Sequence, residues 1–319
     1  KQFRLGPRDE VCLHMAQKTT LWDEIWIVIV GATRSATYVR LGVVLLFFIG
    51  TINLMAMSAE RRLVRQRCFS PVDWLRRFSQ EPPWSRYSEG NQDAVLNSLF
   101  KAVKTTNKKY VEIGRRASRT EEDMGKGRYL EEALGFNAAL NLDAERSNAS
   151  INLHKRFVTA GNIIPILQEF RVPTVFDYLG ISLKACDLWV FLGLTTVFRP
   201  RVVTVEYNPN YVENDFSALR CSNPRAYTFE GDNLYGASLG ALDLAANHRG
   251  YQLVYVSTKL DAFFVRKDLL CREEDRLLQV GDFRDRMGIP FGESYLGQQG
   301  LQEDLVTDFG AWLTSHPGA

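Results

Sequence analysis

The 319-residue chain predicts an α/β fold, a largely parallel sheet with helices on both faces, preceded by one transmembrane helix. Three stretches carry that expectation. Val172–Tyr211 reads as strand, helix, strand: Phe176–Leu183 is a short apolar run after a proline, and Val202–Tyr207 is rich in β-branched residues. Between them, Cys186–Val197 is apolar on most sides, as a helix packed on a sheet must be. Parallel strands need a crossover of this size, which makes the segment a right-handed βαβ unit. Lys109–Gly114, KYVEIG, is a second apolar strand, ending in glycine. Leu41–Met57 is an uncharged run of 17 residues, about 26 Å as a helix and close to a hydrocarbon core.

Composition narrows the function classes. A net charge of +2 leaves no electrostatic footprint for nucleic acid. The cysteines (Cys12, Cys68, Cys186, Cys221, Cys271) are odd in number and scattered, which predicts free thiols in a reducing compartment. Neither they nor the dispersed histidines (His14, His154, His248, His316) have zinc spacing, and no metal is expected. Asn148-Ala149-Ser150 matches the glycosylation triplet, which is common by chance and carries no expectation here.

In chain order, residues 1–40 form an N-terminal segment whose start at Lys1 fits a processed chain. Within it, Leu21–Ala32 has two tryptophans and reads as an interfacial helix. Residues 41–57 are the transmembrane helix. Arg34 and Arg40 precede it, and Glu60, Arg61, Arg62, Arg65 and Arg67 follow. The denser basic flank places the C-terminal part on the cytoplasm-like, matrix or stroma side.

Residues 58–105 read as a connecting arm and lead-in helix. Ser70 can cap a helix with Pro71 at its first position, and Pro82-Pro83 stops it. Asn91–Thr105 then has helical apolar spacing. Residues 106–270 are the main domain. After the strand Lys109–Gly114 come a helix at Arg128–Leu134 and a strand at Ala138–Glu145. An acid thus follows the first strand by about 30 residues, the layout of a Rossmann-like cofactor site. Asn162–Phe170 and Tyr235–Asn247 read as helices, and Tyr251–Ser257 with Ala262–Arg266 as an antiparallel hairpin at a sheet edge. Residues 271–319 read as a charged tail that wraps over the domain or a partner.

In open α/β sheets ligands sit beyond the carboxyl ends of the strands, here Ser182–Asp187 and Glu206–Asn208. YVEIG, LDAE, NIIPIL, VPTVFDYL, RPRVVTVEYNPNY, YGASLGAL and GYQLVYV with AFFVRKDL occur in one order over about Tyr110–Leu270. Together they resemble a branch of the FkbM-like S-adenosylmethionine-dependent methyltransferase superfamily. The resemblance implies a methyltransferase-type sheet and a cofactor pocket at Gly114, Asp143, Asp187, Glu206 and Asn208, with Asp143 facing ribose hydroxyls.

The same resemblance exposes departures. A loop like GANDG is matched by Gly114, Arg115, Arg116, Ala117 and Ser118, so the acid and second glycine are absent. Two arginines put bulk and positive charge where a sulfonium cofactor would lie. A strand end like SIDIDGND is matched by Gly180, Ile181, Ser182, Leu183, Lys184, Ala185, Cys186 and Asp187. Two acids have become Ser182 and Lys184, the glycine Ala185 and the asparagine Cys186. Cys186 reads as a small buried hydrophobe rather than a nucleophile. The surviving acids serve either a residual pocket or the caps inherited with the fold.

The expected function is therefore a non-catalytic accessory subunit of an organellar membrane complex, a respiratory-chain complex first. It would bind no cofactor and contact the lipid bilayer and other subunits. The expected site is the mitochondrial inner membrane with the domain on the matrix side, or a thylakoid with the domain on the stromal side. The alternative is an active membrane-anchored methyltransferase that uses S-adenosylmethionine.

Overall fold

Buried parallel strands read as short apolar runs, and the runs of this chain assemble into one seven-stranded sheet. The computed structural model describes residues 68–88, 90–114, 126–143, 146–183, 185–211, 215–221, 235–257, 261–271 and 305–318, with residues 46, 48–52, 278, 280 and 283. The chain divides into two units, Lys1–Arg67 and Cys68–Ala319. In the first, the described residues 46 and 48–52 are helical. The rest of the expected span 41–57 and the expected interfacial helix Leu21–Ala32 lie outside the described residues. Among the described residues no helix is long and apolar enough to cross a membrane.

The second unit holds helices α1 (Pro71–Phe78), α2 (Gln92–Val103), α3 (Lys126–Leu134), α4 (Ile163–Glu169), α5 (Asp187–Leu194), α6 (Leu239–His248) and α7 (Phe309–Ser315). Its strands are β1 (Lys109–Ile113), β2 (Asn137–Asp143), β3 (Leu153–Lys155), β4 (Tyr178–Ile181), β5 (Val202–Glu206), β6 (Ala218–Leu219), β7 (Tyr251–Val256), β8 (Asp261–Arg266) and β9 (Leu305–Val306). The main sheet runs β3-β2-β1-β4-β5-β8-β7. Strands β1 to β5 pair in parallel, β8 is antiparallel to β5, and β7 is antiparallel to β8. The winding reverses between β1 and β4, which makes the carboxyl ends of those two strands the topological switch point. This is a Rossmann-type sheet closed by an antiparallel hairpin.

Every residue of β4 is buried, so both sheet faces are covered. Entry into the centre is fixed by Asp177, which is fully buried just before β4. Its carboxylate accepts the Thr106 N–H at 2.9 Å, the Thr106 hydroxyl at 2.8 Å, the Asn107 N–H at 3.0 Å and the Lys108 N–H at 2.6 Å. Arg201 Nε lies 3.5 Å away, just before β5. One carboxylate thus holds the turn into β1 against the starts of β4 and β5. Charge-assisted bonds of this kind are the strong ones.

Three sequence expectations need correction. First, the segment read as a connecting arm folds into the core from Cys68 onward. The Ser70 cap forms as expected, with its hydroxyl accepting the Asp73 N–H at 3.3 Å and Pro71 leading the helix. Yet α1 buries Trp74, Leu75 and Phe78, and the Trp74 ring stacks on Phe78 and meets Tyr255 of β7 edge-on. Trp74 also donates to the Ser98 hydroxyl of α2 at 2.9 Å.

Second, the tail supplies structure. Strand β9 pairs antiparallel with β6, and Phe309 at the head of α7 is fully buried. Third, four of the five cysteines are not free. Cys68 is disulfide-bonded to Cys271 across 203 positions, and Cys186 to Cys221 across 35. The fold brings the first pair together: Phe69 donates to Leu269 and Cys271 donates back to Phe69, at 2.9 and 3.0 Å, so the cysteines flank a backbone bridge. A closed loop of this length stabilises by roughly 5 kcal/mol in the chain-entropy picture. Cys12 lies outside the described residues.

Burial also writes a pH dependence into α6. Asp243 is nearly buried and its carboxyl is pushed up to about 6 by desolvation, against the pull of Lys267 and the Asn247 amide. The folded state therefore holds this proton more tightly than the unfolded chain, whose carboxyl has its ordinary value near 3.8. Its contribution is complete below about pH 4 and is lost as pH rises through about pH 6. Asp243→Asn should flatten that part of the stability curve in urea unfolding followed across this range.

Candidate active site

Gly114 leaves β1 with φ +81°, and a side chain there would place Cβ 2.1 Å from the Ser182 carbonyl oxygen. Both the backbone angle and the close approach require glycine. Ser182, the first residue after β4, donates its N–H to Ile113 at 2.9 Å and its hydroxyl to Glu206 Oε2 at 2.6 Å. The exits of β1, β4 and β5 are thereby joined to one another.

Asp187 is the first residue of α5 and is buried. Its carboxylate accepts the Leu183 N–H at 2.8 Å, closing the turn that follows β4. Burial first, and then the nearby Glu206 carboxylate, hold the Asp187 carboxyl well above the usual range. Tyr235 faces the same two acids, and its hydroxyl is pushed up to about 12 by burial, then by Glu206 and Asp187.

Asn208 is also buried and fully used. Its side-chain amide donates to the Tyr235 carbonyl at 2.9 Å and accepts from the Asn210 N–H at 2.9 Å, while its own N–H donates to Ala237 at 2.9 Å. Of the residues singled out in the sequence, Gly114, Asp187, Glu206 and Asn208 gather around the ends of β1, β4 and β5. Asp143 ends β2, separated from β5 by β1 and β4.

A short segment around β6 is fastened beside this edge, to the start of α5 and to the residues before α6. Cys221, after β6, is bonded to Cys186 at the N-cap of α5. This corrects the reading of Cys186 as a lone packed thiol: it is buried, but in a disulfide. Trp189 Nε1 donates to the Leu219 carbonyl at 2.6 Å, one turn further along α5. On its other side the segment is held by Leu219 N–H to Gly236, Ser238 N–H to Ser217, and the Ser238 hydroxyl to the Asp215 carbonyl. The YGASL motif thus holds the β6 segment in place.

Next to Glu206 lies a polar group that sequence reasoning missed. Asp261 of β8 is the register partner of Glu206. It is paired with Lys126 Nζ at 2.7 Å, with both side chains nearly buried, and it accepts from Gln92 of α2. Glu112 of β1 accepts the Gly127 N–H at 3.3 Å, and Tyr178 and Thr204 share a hydrogen bond of 2.7 Å. Desolvation works against the Lys126 charge, but Asp261 and its neighbours outweigh it and keep the amine protonated. The signal was present: Glu112 interrupts the apolar run KYVEI at a position that must be buried.

Chemically, the arrangement holds two carboxyl groups that disfavour each other's ionisation, with Asp187 the one driven toward the neutral form. Among the described residues no group of three histidine, cysteine or acidic side chains is placed to hold a metal ion.

No protein-family model matches the chain, and no curated protein matches it. It is similar to solved structures of MycE, a methyltransferase from the mycinamycin biosynthetic pathway. With Mg and SAH bound, that structure has a TM-score of 0.40 at 14% identity, covering 72% of this chain and 64% of that one. The complex with Mg, SAH and mycinamycin VI gives 0.39 and 14%, covering 67% and 58%. The chain thus spans less than two thirds of the length of the structures it matches.

The buried ion pair is testable as a structural joint between α3 and β8. Lys126→Met leaves Asp261 buried without its cation and should cost about 3–5 kcal/mol in urea unfolding, while Lys126→Met with Asp261→Leu should recover most of it.

Proposed function

We propose that this chain is a non-catalytic, methyltransferase-like scaffold, derived from the FkbM-like branch and held to a membrane by its N-terminal segment. One observation carries the reading. The polar groups at the switch point are bonded to each other and to backbone, and a disulfide fixes the turn after β4 to the β6 segment. Ser182 occupies Glu206, Leu183 occupies Asp187, and Asn208 is spent on the Tyr235 carbonyl and the Asn210 N–H. A cofactor would have to displace these bonds without the carboxylates and glycine of the family pattern to replace them. Retaining a fold without its chemistry is consistent with how sites are grafted on folds.

As a scaffold the domain would serve as an accessory subunit of a membrane protein complex. The matrix-side or stroma-side placement suggested by the basic flank belongs to reducing compartments, where structural disulfides are rare. Two disulfides favour the oxidising side instead.

A second reading, an active methyltransferase using S-adenosylmethionine, is favoured by the gathering of Gly114, Glu206 and Asn208 at the switch point. Calorimetric titration of the purified, oxidised chain separates the two. The scaffold reading expects no heat of binding with millimolar S-adenosylmethionine. A micromolar dissociation constant would replace it with the enzyme.

A further inference from the structure

Asn148-Ala149-Ser150 is the one Asn-X-Ser/Thr triplet in the full sequence whose middle residue is not proline. Its surroundings are those of a modification site. Residues 147–150 are all exposed, in the turn between β2 and the edge strand β3. The Asn148 backbone is held in both directions by Leu153, with N–H to carbonyl distances of 2.8 and 2.9 Å. Its side chain is oriented by Ser150, whose N–H donates to Asn148 Oδ1 at 3.0 Å and whose hydroxyl donates to the same oxygen at 2.7 Å. Both bonds fall on the oxygen. Among the described residues no hydrogen bond uses Nδ2, the atom that carries the sugar in an N-glycan. A glycan here would leave from the outer rim of the sheet and displace no buried side chain.

The second observation is independent. Two disulfides join residues of the same unit, and disulfides form in the compartments where N-glycans are added to secreted and membrane proteins. An exposed sequon is informative only in that setting, which the cysteine spacing alone did not reveal. We propose that Asn148 is an N-glycosylation site and that the unit Cys68–Ala319 lies on the lumenal side of a secretory-pathway membrane. In the transfer, Nδ2 attacks the anomeric carbon of a lipid-linked oligosaccharide pyrophosphate. The new C–N bond forms as the C–O bond to the pyrophosphate breaks, the lipid pyrophosphate leaves, and one amide proton is released. The placement beside a membrane rests on the anchorage proposed above, whereas the glycan requires neither that anchorage nor a bound cofactor.

The test expresses the full chain in a eukaryotic secretory host and compares it before and after peptide-N-glycosidase F, with thiols alkylated without reduction. The expected result is a downward shift by one glycan, an aspartate at position 148 after release, and no alkylation of Cys68, Cys186, Cys221 or Cys271. Asn148→Gln and Ser150→Ala should each remove the shift, and Ser150→Thr should keep it, which separates loss of the acceptor from loss of folding. An unshifted chain with its four cysteines bridged overturns the glycan. An unshifted chain with all cysteines alkylated overturns both the glycan and the lumenal placement.

Discussion

The parallel pairing of β1 with β4 is the constraint on which the rest of the domain depends. The sheet winds away from this pair in both directions, so its entry and exit set the register of everything beside it. At the entry, the buried Asp177 carboxylate gathers three consecutive backbone N–H groups and the Thr106 hydroxyl. At the exit, Gly114 and Ser182 come so close that only a glycine with positive φ fits. A ligand crevice in such a sheet opens at that exit. The same contact that completes the sheet therefore decides what room and which polar groups are left for chemistry.

In this chain those groups bond to one another and to backbone. Ser182 bridges β4 to Glu206 of β5, Asp187 closes the turn into α5, and Asn208 ties β5 to the segment before α6. The disulfide at Cys186 then joins that turn to the β6 segment. Beside them, Lys126 and Asp261 connect α3 to β8 through a nearly buried pair. Buried charges of this kind are costly to break one at a time, which favours a fixed arrangement over one that must open for substrate.

The central layout was legible because buried parallel strands are continuous apolar runs. Tyr178–Ile181 and Val202–Glu206 stand out for that reason, and the chain between them is too apolar to be anything but a packed helix. Strand β3 was not legible: of the three residues Leu153–Lys155 two are polar, and only its pairing with β2 makes it a strand. Likewise β6 and β9 are two residues each and meet from distant parts of the chain. The disulfides were hidden for the same reason, since sequence spacing says nothing about which distant cysteines a fold brings together. Gly114, Asp187, Glu206 and Asn208 could be placed at strand ends from the sequence. That their polar atoms are turned on one another could not, because it depends on how the fold brings Ser182 to Glu206 and Leu183 to Asp187.

Hydrogen exchange at the amides of Ser182, Leu183 and Leu219, measured on the oxidised chain with and without S-adenosylmethionine, tests the proposed loss of cofactor binding at the switch point most directly. These N–H groups donate to Ile113, Asp187 and Gly236. The account predicts slow exchange in the free chain that the cofactor leaves unchanged. Fast exchange in the free chain that becomes slow when the cofactor is added would contradict it.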